Sequence, residues 1–303
     1  MQMEKVLITG GTGLIGTELA SLLIKKHYNV SFLSRKRNLS GEIKTYRWDL
    51  NTGEIDKEAI KNTDYIIHLA GANVASKNWS KHRKKEILES RTKSGELLFK
   101  TVKELNPNLK AFISASGVGY YGSQTTENIY HEEDNCGNDF LANVCQAWEV
   151  EALKFKALGF RTVILRTGVV LSEKGGALKK MKTPVKWFLG SALGTGKQYM
   201  PWIHISDLTQ IYLNAIENSN LSGTYNAAAK EHQTNRSFTK TLCKSMKRPF
   251  IPIPVPTFVL KLIFGEMSSV VLEGSRIDSS KIRKTDCKFE FPTLKEALDN
   301  LSL

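Results

Sequence analysis

Cysteine is scarce in this chain of 303 residues, and the few cysteines show no pairing pattern. They stand apart, without any Cys-x-x-Cys pair, at Cys136, Cys145, Cys243 and Cys287. A chain of this length can bury a substantial core without disulfides, and so few cysteines do not make a disulfide framework. We therefore predict a reducing, cytoplasmic setting.

Long hydrophobic runs are also missing. A membrane-spanning helix needs about 18 or more apolar residues. The best candidate, residues 251–265, is short, rich in proline and interrupted by Lys261. No basic-then-apolar leader precedes the first strand-like run, so we expect no signal peptide. These absences predict a protein without a membrane partner.

Metal-ligand patterns are lacking as well. The six histidines are scattered, and HEED at 131–134 does not match the His-Glu-x-x-His zinc motif.

Basic residues outnumber acidic ones, and the net charge of +13 raises the question of a nucleic-acid partner. The basic residues, however, are spread along the chain and cluster only at 34–37 and 81–86. We predict no metal, no nucleic acid and a solvated basic surface.

What the first half does contain is a regular alternation of short apolar runs and amphipathic segments. The strand-like runs are residues 4–9, 29–34, 45–50, 63–71, 109–116 and 160–171. Helical patterns lie between them, most clearly at 14–26 and 140–159. Strands that alternate with helices predict an α/β fold with a doubly wound parallel sheet.

The pattern loosens after residue 171, where several glycines and two prolines interrupt the chain before residue 208. We predict that residues 1–175 form the main domain and that residues 203–235 return to it. Residues 176–202 and 236–303 then form a smaller substrate lobe. We expect this lobe over the carboxyl edge of the sheet, where ligands bind in such folds.

The run VLITGGTGLIGTEL at 6–19 carries the strongest functional signal. Gly10, Gly13 and Gly16 follow a strand and open a helix, the context in which a glycine pattern indicates dinucleotide binding. Unpaired N–H groups at the helix start favour a diphosphate. A Walker-type loop is excluded, because no lysine follows Gly16. The predicted cofactor contacts in this loop are Gly10, Thr12, Gly13, Leu14, Ile15 and Gly16.

The end of the second strand indicates which dinucleotide is bound. NAD calls for an acidic residue there to hold the ribose 2′-hydroxyl, but the sequence has Ser34, Arg35 and Lys36. Cations at this point can pair with a 2′-phosphate, so we predict NADP (NADPH) rather than NAD. The alternative is that these are exposed loop charges. Asp49, after the third strand, could contact the adenine or could cap a turn.

Several motifs in order resemble the extended short-chain dehydrogenase/reductase superfamily, whose core is the NAD(P)-binding Rossmann fold. They are TGGTGLIG, IIHLAG (66–71), ISASGVGYYG (113–122), LRTGVVLS (165–172) and PWIHISDL (201–208). DFLANVCQAWE (139–149) and IFGEMSSVVLEGSRI (263–277) further resemble its epimerase-like subgroup with a C-terminal domain of unknown function. The resemblance covers nearly the whole chain.

The resemblance also implies residues that line the cofactor. Leu69, Ala70 and Gly71 would pass under the nicotinamide-side ribose, where small side chains allow the backbone to approach. Ser114 would lie near the nicotinamide. Arg166 and Thr167 would border the far side of the cleft. Each of these is equally compatible with an ordinary residue at a strand end.

The superfamily's usual acid–base pair, Tyr-x-x-x-Lys with a serine, is missing. An ungapped comparison puts Leu141, which cannot exchange a proton, at the tyrosine position and Cys145, which carries no fixed charge, at the lysine position. The candidate substitutes are Ser116 and Tyr120, since a phenol at the mouth of the cleft can donate a proton to a carbonyl. Cys145 is more typical of inert packing.

Substrate contacts are assigned to Tyr121, Gln198 and Trp202, which are polar or aromatic and follow the motifs of the cleft.

The sequence is compatible with two functions. The first is an NADP-binding, epimerase-like oxidoreductase acting on a small polar molecule, with a sugar nucleotide as one option. The second is a protein that binds NADP(H) with little turnover, as a sensor or scaffold. A monomer and a homodimer are both left open.

Overall fold

The computed structural model describes residues 3–301. Its strands are β1 (Lys5–Thr9), β2 (Asn29–Ser34), β3 (Lys44–Asp49), β4 (Glu54–Ile55), β5 (Tyr65–His68), β6 (Ala111–Gly117), β7 (Ile129–Tyr130), β8 (Arg161–Thr167), β9 (Val169–Leu171), β10 (Ser191–Leu193), β11 (Trp202–His204), β12 (Gly223–Ala227), β13 (Ile251–Val255) and β14 (Arg276–Ile277). Its α-helices are α1 (Leu14–Lys25), α2 (Glu58–Lys61), α3 (Lys81–Leu105), α4 (Phe140–Ala157), α5 (Gly176–Lys186), α6 (Ile205–Glu217), α7 (Asn235–Ser245), α8 (Thr257–Phe264), α9 (Ser269–Leu272), α10 (Ser280–Arg283) and α11 (Leu294–Asn300).

One eight-stranded sheet organises the molecule. The strand order is β12-β8-β6-β5-β1-β2-β3-β4, and neighbouring strands are parallel except for β3 and β4. The chain builds outward from β1 to β3, then crosses back to β5 on the other side of β1. This confirms the predicted α/β fold with a doubly wound parallel sheet. The switch point between β1 and β5 is where such folds bind ligands.

Helices cover both faces of this sheet because its strands are apolar on both sides. Leu7 belongs to the core on one face and Ile8 to the core on the other, as successive side chains of a strand must. Leu23 of α1 and Ile211 of α6 pack on the Ile8 side, and Phe155 of α4 packs on the Leu7 side. Each fully buried side chain of this kind contributes about 1.5–3 kcal/mol.

The predicted strand at 160–171 is in fact two strands. It breaks at Gly168, where an added Cβ would lie 2.7 Å from the Pro201 carbonyl oxygen. The Val169 N–H donates to that same oxygen at 2.7 Å, and β9 pairs with β11 instead of continuing in the main sheet. A close backbone contact therefore ends β8 and turns the chain away from the sheet.

A third apolar cluster lies beyond this break. It joins Val185 of α5, Trp202 of β11, Phe238 of α7 and Leu298 of α11. Two of these helices begin with capping boxes, in which a threonine side chain and the third helical residue satisfy each other's N–H groups. Between residues 3 and 301, no helix is both long enough and apolar enough to cross a membrane.

Candidate dinucleotide and active site

The glycine loop joins β1 to α1 in a turn that leaves no room for a side chain at Gly16. Gly10 has a φ of 68°, in the region that favours glycine, and its carbonyl oxygen accepts from the Gly13 N–H at 3.0 Å. A Cβ on Gly16 would lie 2.6 Å from the Gly11 Cα and 2.7 Å from the Gly10 carbonyl oxygen. The helix can therefore pack against the loop only with glycine at this position.

The N-terminus of α1 keeps free N–H groups. The first helical bond runs from the Thr17 N–H to the Gly13 carbonyl oxygen at 3.0 Å, so the N–H groups of Leu14, Ile15 and Gly16 have no acceptor within the helix. Gly13, the N-cap, supplies no side-chain acceptor. A Cβ there would meet only the Gly10 oxygen, at 3.2 Å, so the helix start is open to an anion.

The loop after β5 closes against the glycine loop. The Leu69 N–H donates to the Thr9 carbonyl oxygen, and the Ala70 N–H donates to Thr9 Oγ1, both at 3.2 Å. An added Cβ on Gly10 would be 3.1 Å from the backbone of Leu69 and Ala70. Gly71 follows and is exposed. The two predicted cofactor segments thus meet at the switch point, and their backbone cradle fits a dinucleotide diphosphate.

The predicted phosphate-binding cations lie next to this loop. Leu33 pairs with Thr9, so Ser34, one residue further along β2, is adjacent to the glycine turn. Arg35 and Lys36 are exposed, and neither forms an ion pair within residues 3–301. Arg37 differs from them, because it lies 3.4 Å from a carboxylate oxygen of Asp56. Two cations are therefore available beside the cradle.

Asp49 serves as a turn cap. Its Oδ1 accepts from the Asn51 N–H at 2.9 Å, and its Oδ2 lies 3.6 Å from the Arg47 guanidinium. This is one of the two roles that the sequence left open. Both partners are at the surface, so the carboxylate keeps lone pairs for another donor, and contact with an adenine amino group remains a prediction.

A buried ion pair lies at the carboxyl end of β6 and β8. The Arg166 guanidinium donates to both oxygens of the Glu149 carboxylate, from Nε at 2.9 Å and from Nη2 at 2.8 Å. The Ser116 hydroxyl donates to the same carboxylate at 2.7 Å. All three side chains are buried. Burial alone would lower the pKa of Arg166, but the bonds and charge of Glu149 outweigh it and raise that pKa.

The two predicted tyrosines surround the same guanidinium. The Tyr120 ring centroid lies 3.4 Å from Arg166 Cζ, a close cation–π contact, and Arg166 Nη1 donates to the Tyr121 hydroxyl oxygen at 2.9 Å. The Tyr121 hydroxyl in turn donates to Asn226 Oδ1 at 2.7 Å. Burial raises the pKa of both tyrosines, most strongly that of Tyr121. Tyr120 is half-buried, whereas Tyr121 is buried.

The helix α4 presents the two residues that stand where the usual acid–base pair is expected. A Cβ built on Gly117 would lie 3.6 Å from Cys145 Sγ, and one on Gly119 would lie 3.5 Å from Leu141 Cβ. Both side chains thus face the segment that carries Tyr120. Burial raises the pKa of the Cys145 thiol to about 12, so it stays protonated near neutral pH. Neither residue supplies a charge here.

Three predicted substrate contacts lie in the interior. Tyr121, Gln198 and Trp202 are each no more than 1% exposed. Gln198 Nε2 donates to the carbonyl oxygens of Leu193 at 3.0 Å and Val271 at 2.7 Å, and Trp202 is part of the third apolar cluster. A substrate could touch these side chains only after this part of the chain had rearranged.

Two predicted cofactor contacts form local bonds at their strand ends. Ser114 is fully buried, and its hydroxyl donates to the Ala115 carbonyl oxygen at 3.0 Å. Thr167 is half-buried, and its hydroxyl donates to the Leu165 carbonyl oxygen at 3.2 Å. Arg166 directs its guanidinium to Glu149, and its position at the border of the cofactor cleft stays a prediction.

Two features of the site escaped sequence reasoning. Glu149 was not assigned a role, although a carboxylate on an apolar helix face and an arginine in an apolar strand are together a signal for a buried pair. The other feature is His68, whose Nδ1 and Nε2 lie 2.8 Å and 3.2 Å from the hydroxyl oxygens of Thr9 and Ser94. Burial lowers the pKa of His68 to about 3, so the ring is neutral under the cradle.

A cavity of about 410 Å3 lies apart from the residues predicted for the site. Glu132, Tyr225 and Lys281 are among the residues that line it. It is linked to the buried pair, because the Glu132 carbonyl oxygen accepts from Arg166 Nη1 at 3.0 Å.

In the part of the chain that the structure describes, no three histidine, cysteine or acidic side chains are grouped as metal ligands.

Comparison with known proteins agrees with this geometry. A family model described as "NAD dependent epimerase/dehydratase family" matches residues 6–228. A second model, a domain of unknown function called DUF1731, matches residues 255–301. "Epimerase family" proteins of Staphylococcus aureus and Staphylococcus saprophyticus are 34% and 35% identical over 299 and 301 residues, and each match covers 99% of both chains.

Solved structures agree as well. Human epimerase family protein SDR39U1 (isoform 2) with NADPH is 32% identical, with a TM-score of 0.87 over 98% of this chain and 99% of that one. The nucleoside-diphosphate sugar epimerase from Corynebacterium glutamicum is 30% identical, with a TM-score of 0.80 over 99% of this chain and 58% of that one. The resemblance found in the sequence is confirmed, and the chain belongs to the NAD-dependent epimerase/dehydratase family.

Proposed function

We propose that this protein binds NADP(H) in the cradle between β1, α1 and β5 and uses it in an oxidoreductase or epimerase reaction on a small polar substrate. Within that class we favour a nucleotide sugar. The observation that carries the proposal is the uncapped start of α1, with unpaired Arg35 and Lys36 beside it. Backbone N–H groups suit the diphosphate, and the two cations suit an additional phosphate.

Two relatives support the finer part of the proposal. The human relative was solved with NADPH, and the relative from Corynebacterium glutamicum is named as a nucleoside-diphosphate sugar epimerase. Both are at least 30% identical to this chain. Neither comparison bears on which side chain exchanges the proton.

The cofactor assignment is tested with Arg35→Ala. We expect the Kd for NADPH to rise about tenfold and the Kd for NADH to stay unchanged, because a charge-assisted bond to a phosphate is worth about 1.5–3 kcal/mol and exposure weakens it. Fluorescence titration with both nucleotides measures this. Lys103→Ala removes an exposed cation from the end of α3 and is the matched control. Equal affinity of wild type and Arg35→Ala for NADPH would contradict the assignment.

The chemistry proposed for this site depends on Tyr120. When bound, the nicotinamide supplies or accepts a hydride at C4. The Ser116 hydroxyl donates to the Glu149 carboxylate, which pairs with Arg166. The Arg166 guanidinium in turn contacts the face of the Tyr120 ring. Burial keeps the pKa of Tyr120 above its usual value despite Arg166, so the phenol carries its proton at neutral pH. It can therefore donate that proton to a substrate carbonyl oxygen. Ser116 is then a positioning residue.

Tyr120→Phe tests this chemistry. The variant keeps the ring on Arg166 and loses only the hydroxyl, so we expect NADPH oxidation over a panel of carbonyl compounds to slow by about a hundredfold or more. The Kd for NADPH should be unchanged. Ser116→Ala should give a smaller loss of rate. Tyr28→Phe changes a tyrosine at the amino end of β2, away from the carboxyl ends of the strands, and should give none. Wild-type rates in both Tyr120→Phe and Ser116→Ala would remove the assignment.

A second function, NADP(H) binding with little turnover, is favoured by one observation. The face of α4 that meets the Tyr120 segment carries an aliphatic side chain, Leu141, and a protonated thiol, Cys145. Tight NADPH binding with no carbonyl-dependent oxidation in wild type would favour this alternative over the enzyme.

A further inference from the structure

The C-terminal half exposes large apolar side chains along and beyond both ends of one two-stranded sheet. We call this set the apolar face and define it by Trp187, Phe188, Leu189, Ile253, Phe258, Leu262 and Ile263. Trp187 is 75% exposed and Leu262 is 85% exposed. Single exposed apolar residues are ordinary, but a grouped set indicates a contact with another apolar phase.

The two segments of this face lie at opposite ends of one parallel two-stranded sheet, and Ile253 lies between them. β10 follows residues 187–189 and pairs with β13, and the Ile251 N–H donates to the Gly190 carbonyl oxygen at 2.8 Å. The helix α8 leaves β13 directly after Pro256. Only Leu260 of α8 is fully buried, so most of the helix's apolar surface faces outward.

The backbone at Phe188 is also unusual. Its φ is 62°, a left-handed conformation that is unfavourable for residues other than glycine. Helix α5 ends at Lys186, and the N–H groups of Phe188 and Leu189 return to carbonyl oxygens of its last turn. The helix end is thus closed by residues whose side chains project into solvent.

Positive charge predominates around this face, although Glu173 and Glu266 flank its two segments. Residues 174–189 include five lysines, and residues 240–265 include four lysines and one arginine. Neither segment contains an aspartate or a glutamate. Lys186, Lys261 and Arg248 are exposed, and Arg248 lies over the Phe188 ring, with Cζ 4.6 Å from its centroid. Apolar and cationic side chains are therefore interleaved.

The combination of exposed apolar side chains with cations indicates which kind of partner binds the apolar face. A second copy docked through the same face would bring one set of lysines against an identical set, which is unfavourable. A polyanion without an apolar phase would leave Trp187 and Leu262 in water. Interfacial helices combine Trp, Phe and Leu with Lys and Arg, and anionic lipid attracts the cations while the acyl boundary accepts the apolar side chains.

We propose that the apolar face docks onto the surface of an anionic lipid bilayer. This differs from the prediction of no membrane partner, which depended on the lack of a spanning run. Surface docking needs no such run. The proposal does not depend on the cofactor or on turnover, since it concerns a different part of the chain from the glycine cradle.

The test is flotation with vesicles of phosphatidylcholine alone and of phosphatidylcholine mixed with phosphatidylglycerol. We expect the wild-type protein to bind the mixed vesicles, to bind the neutral ones far less, and to be released by salt. Replacing Trp187, Phe188 and Leu189 with serine should weaken binding at least about tenfold, because each buried apolar side chain contributes. Phe258→Ser with Leu262→Ser should act in the same direction.

The matched control is Val150→Ser with Leu153→Ser, which removes exposed apolar side chains from α4 and should leave vesicle binding intact. Several outcomes would overturn the proposal. They are no binding to mixed vesicles, equal binding to both kinds, or an equal loss in the control. A wild-type dimer that the serine variants convert to a monomer, without vesicle binding, would make a second copy the occupant.

Discussion

Glu149→Ala is expected to lower the free energy of unfolding by about 3–5 kcal/mol, because it leaves the Arg166 guanidinium buried without its counter-charge. Both guanidinium bonds to the carboxylate would be lost, and the Ser116 hydroxyl would lose its acceptor. Urea denaturation monitored by circular dichroism measures the change.

The matched control removes an exposed carboxylate of the same type. Glu96 lies 2.7 Å from Lys100, one helical turn away on α3, and both side chains are well exposed. Glu96→Ala should therefore cost no more than about 0.5 kcal/mol. Should Glu149→Ala fail to fold, Glu149→Gln keeps one acceptor oxygen for Arg166 and provides a milder version of the same measurement. A change as small in Glu149→Ala as in Glu96→Ala would mean that the pair contributes little to stability.

Gly16→Ala is expected to weaken NADPH binding at least a hundredfold, which corresponds to about 2.7 kcal/mol. The added Cβ would lie 2.6 Å from the Gly11 Cα and 2.7 Å from the Gly10 carbonyl oxygen, so the loop or the helix must move. The contacts are with backbone, which cannot turn aside as a flexible side chain would. The N–H groups at the start of α1 then lose their alignment with the diphosphate. Isothermal calorimetry gives the affinity.

Gly159→Ala is the control for this experiment. Gly159 has a φ of 89° and nothing within 4 Å of an added Cβ, and it lies beyond the end of α4, before β8 begins. The alanine introduces local backbone strain and lowers stability, but it is remote from the cradle. NADPH affinity should therefore match that of wild type. Retention of full affinity in Gly16→Ala would show that the loop is not the diphosphate site.

Sequence reasoning reached those parts of the molecule that local patterns determine. The glycine loop is one case, because the strand, the turn and the helix start are contiguous in sequence. The spacing of Gly10, Gly13 and Gly16 therefore predicts the tight turn and the close packing of the helix on the loop. The sheet is another, because alternation of strands and helices permits few topologies. The break at Gly168 could not be foreseen, because its cause is the Pro201 carbonyl oxygen, which reaches it from a distant segment.

The candidate site was predicted less completely because burial is a tertiary property. Gln198 and Trp202 have the chemistry of substrate contacts, yet both are buried. Trp202 packs with α7 and α11, and the Gln198 side chain donates to two backbone carbonyl oxygens. Arg166 was predicted as a neighbour of the cofactor, but its bonds go to a residue 17 positions earlier on a different element. Local spacing carries no information about such pairs.

The first turn of α1 has a consequence for how the protein can move. A Cβ added to Gly176, the first residue of α5, would lie 3.0 Å from Leu14 Cδ2, and the Lys174 ammonium is paired with Glu18. Helix α5 thus contacts the helix whose amino end faces the predicted diphosphate site. Movement of α5 away from α1 would break these contacts, so we expect a displacement of α5 to be felt at that site.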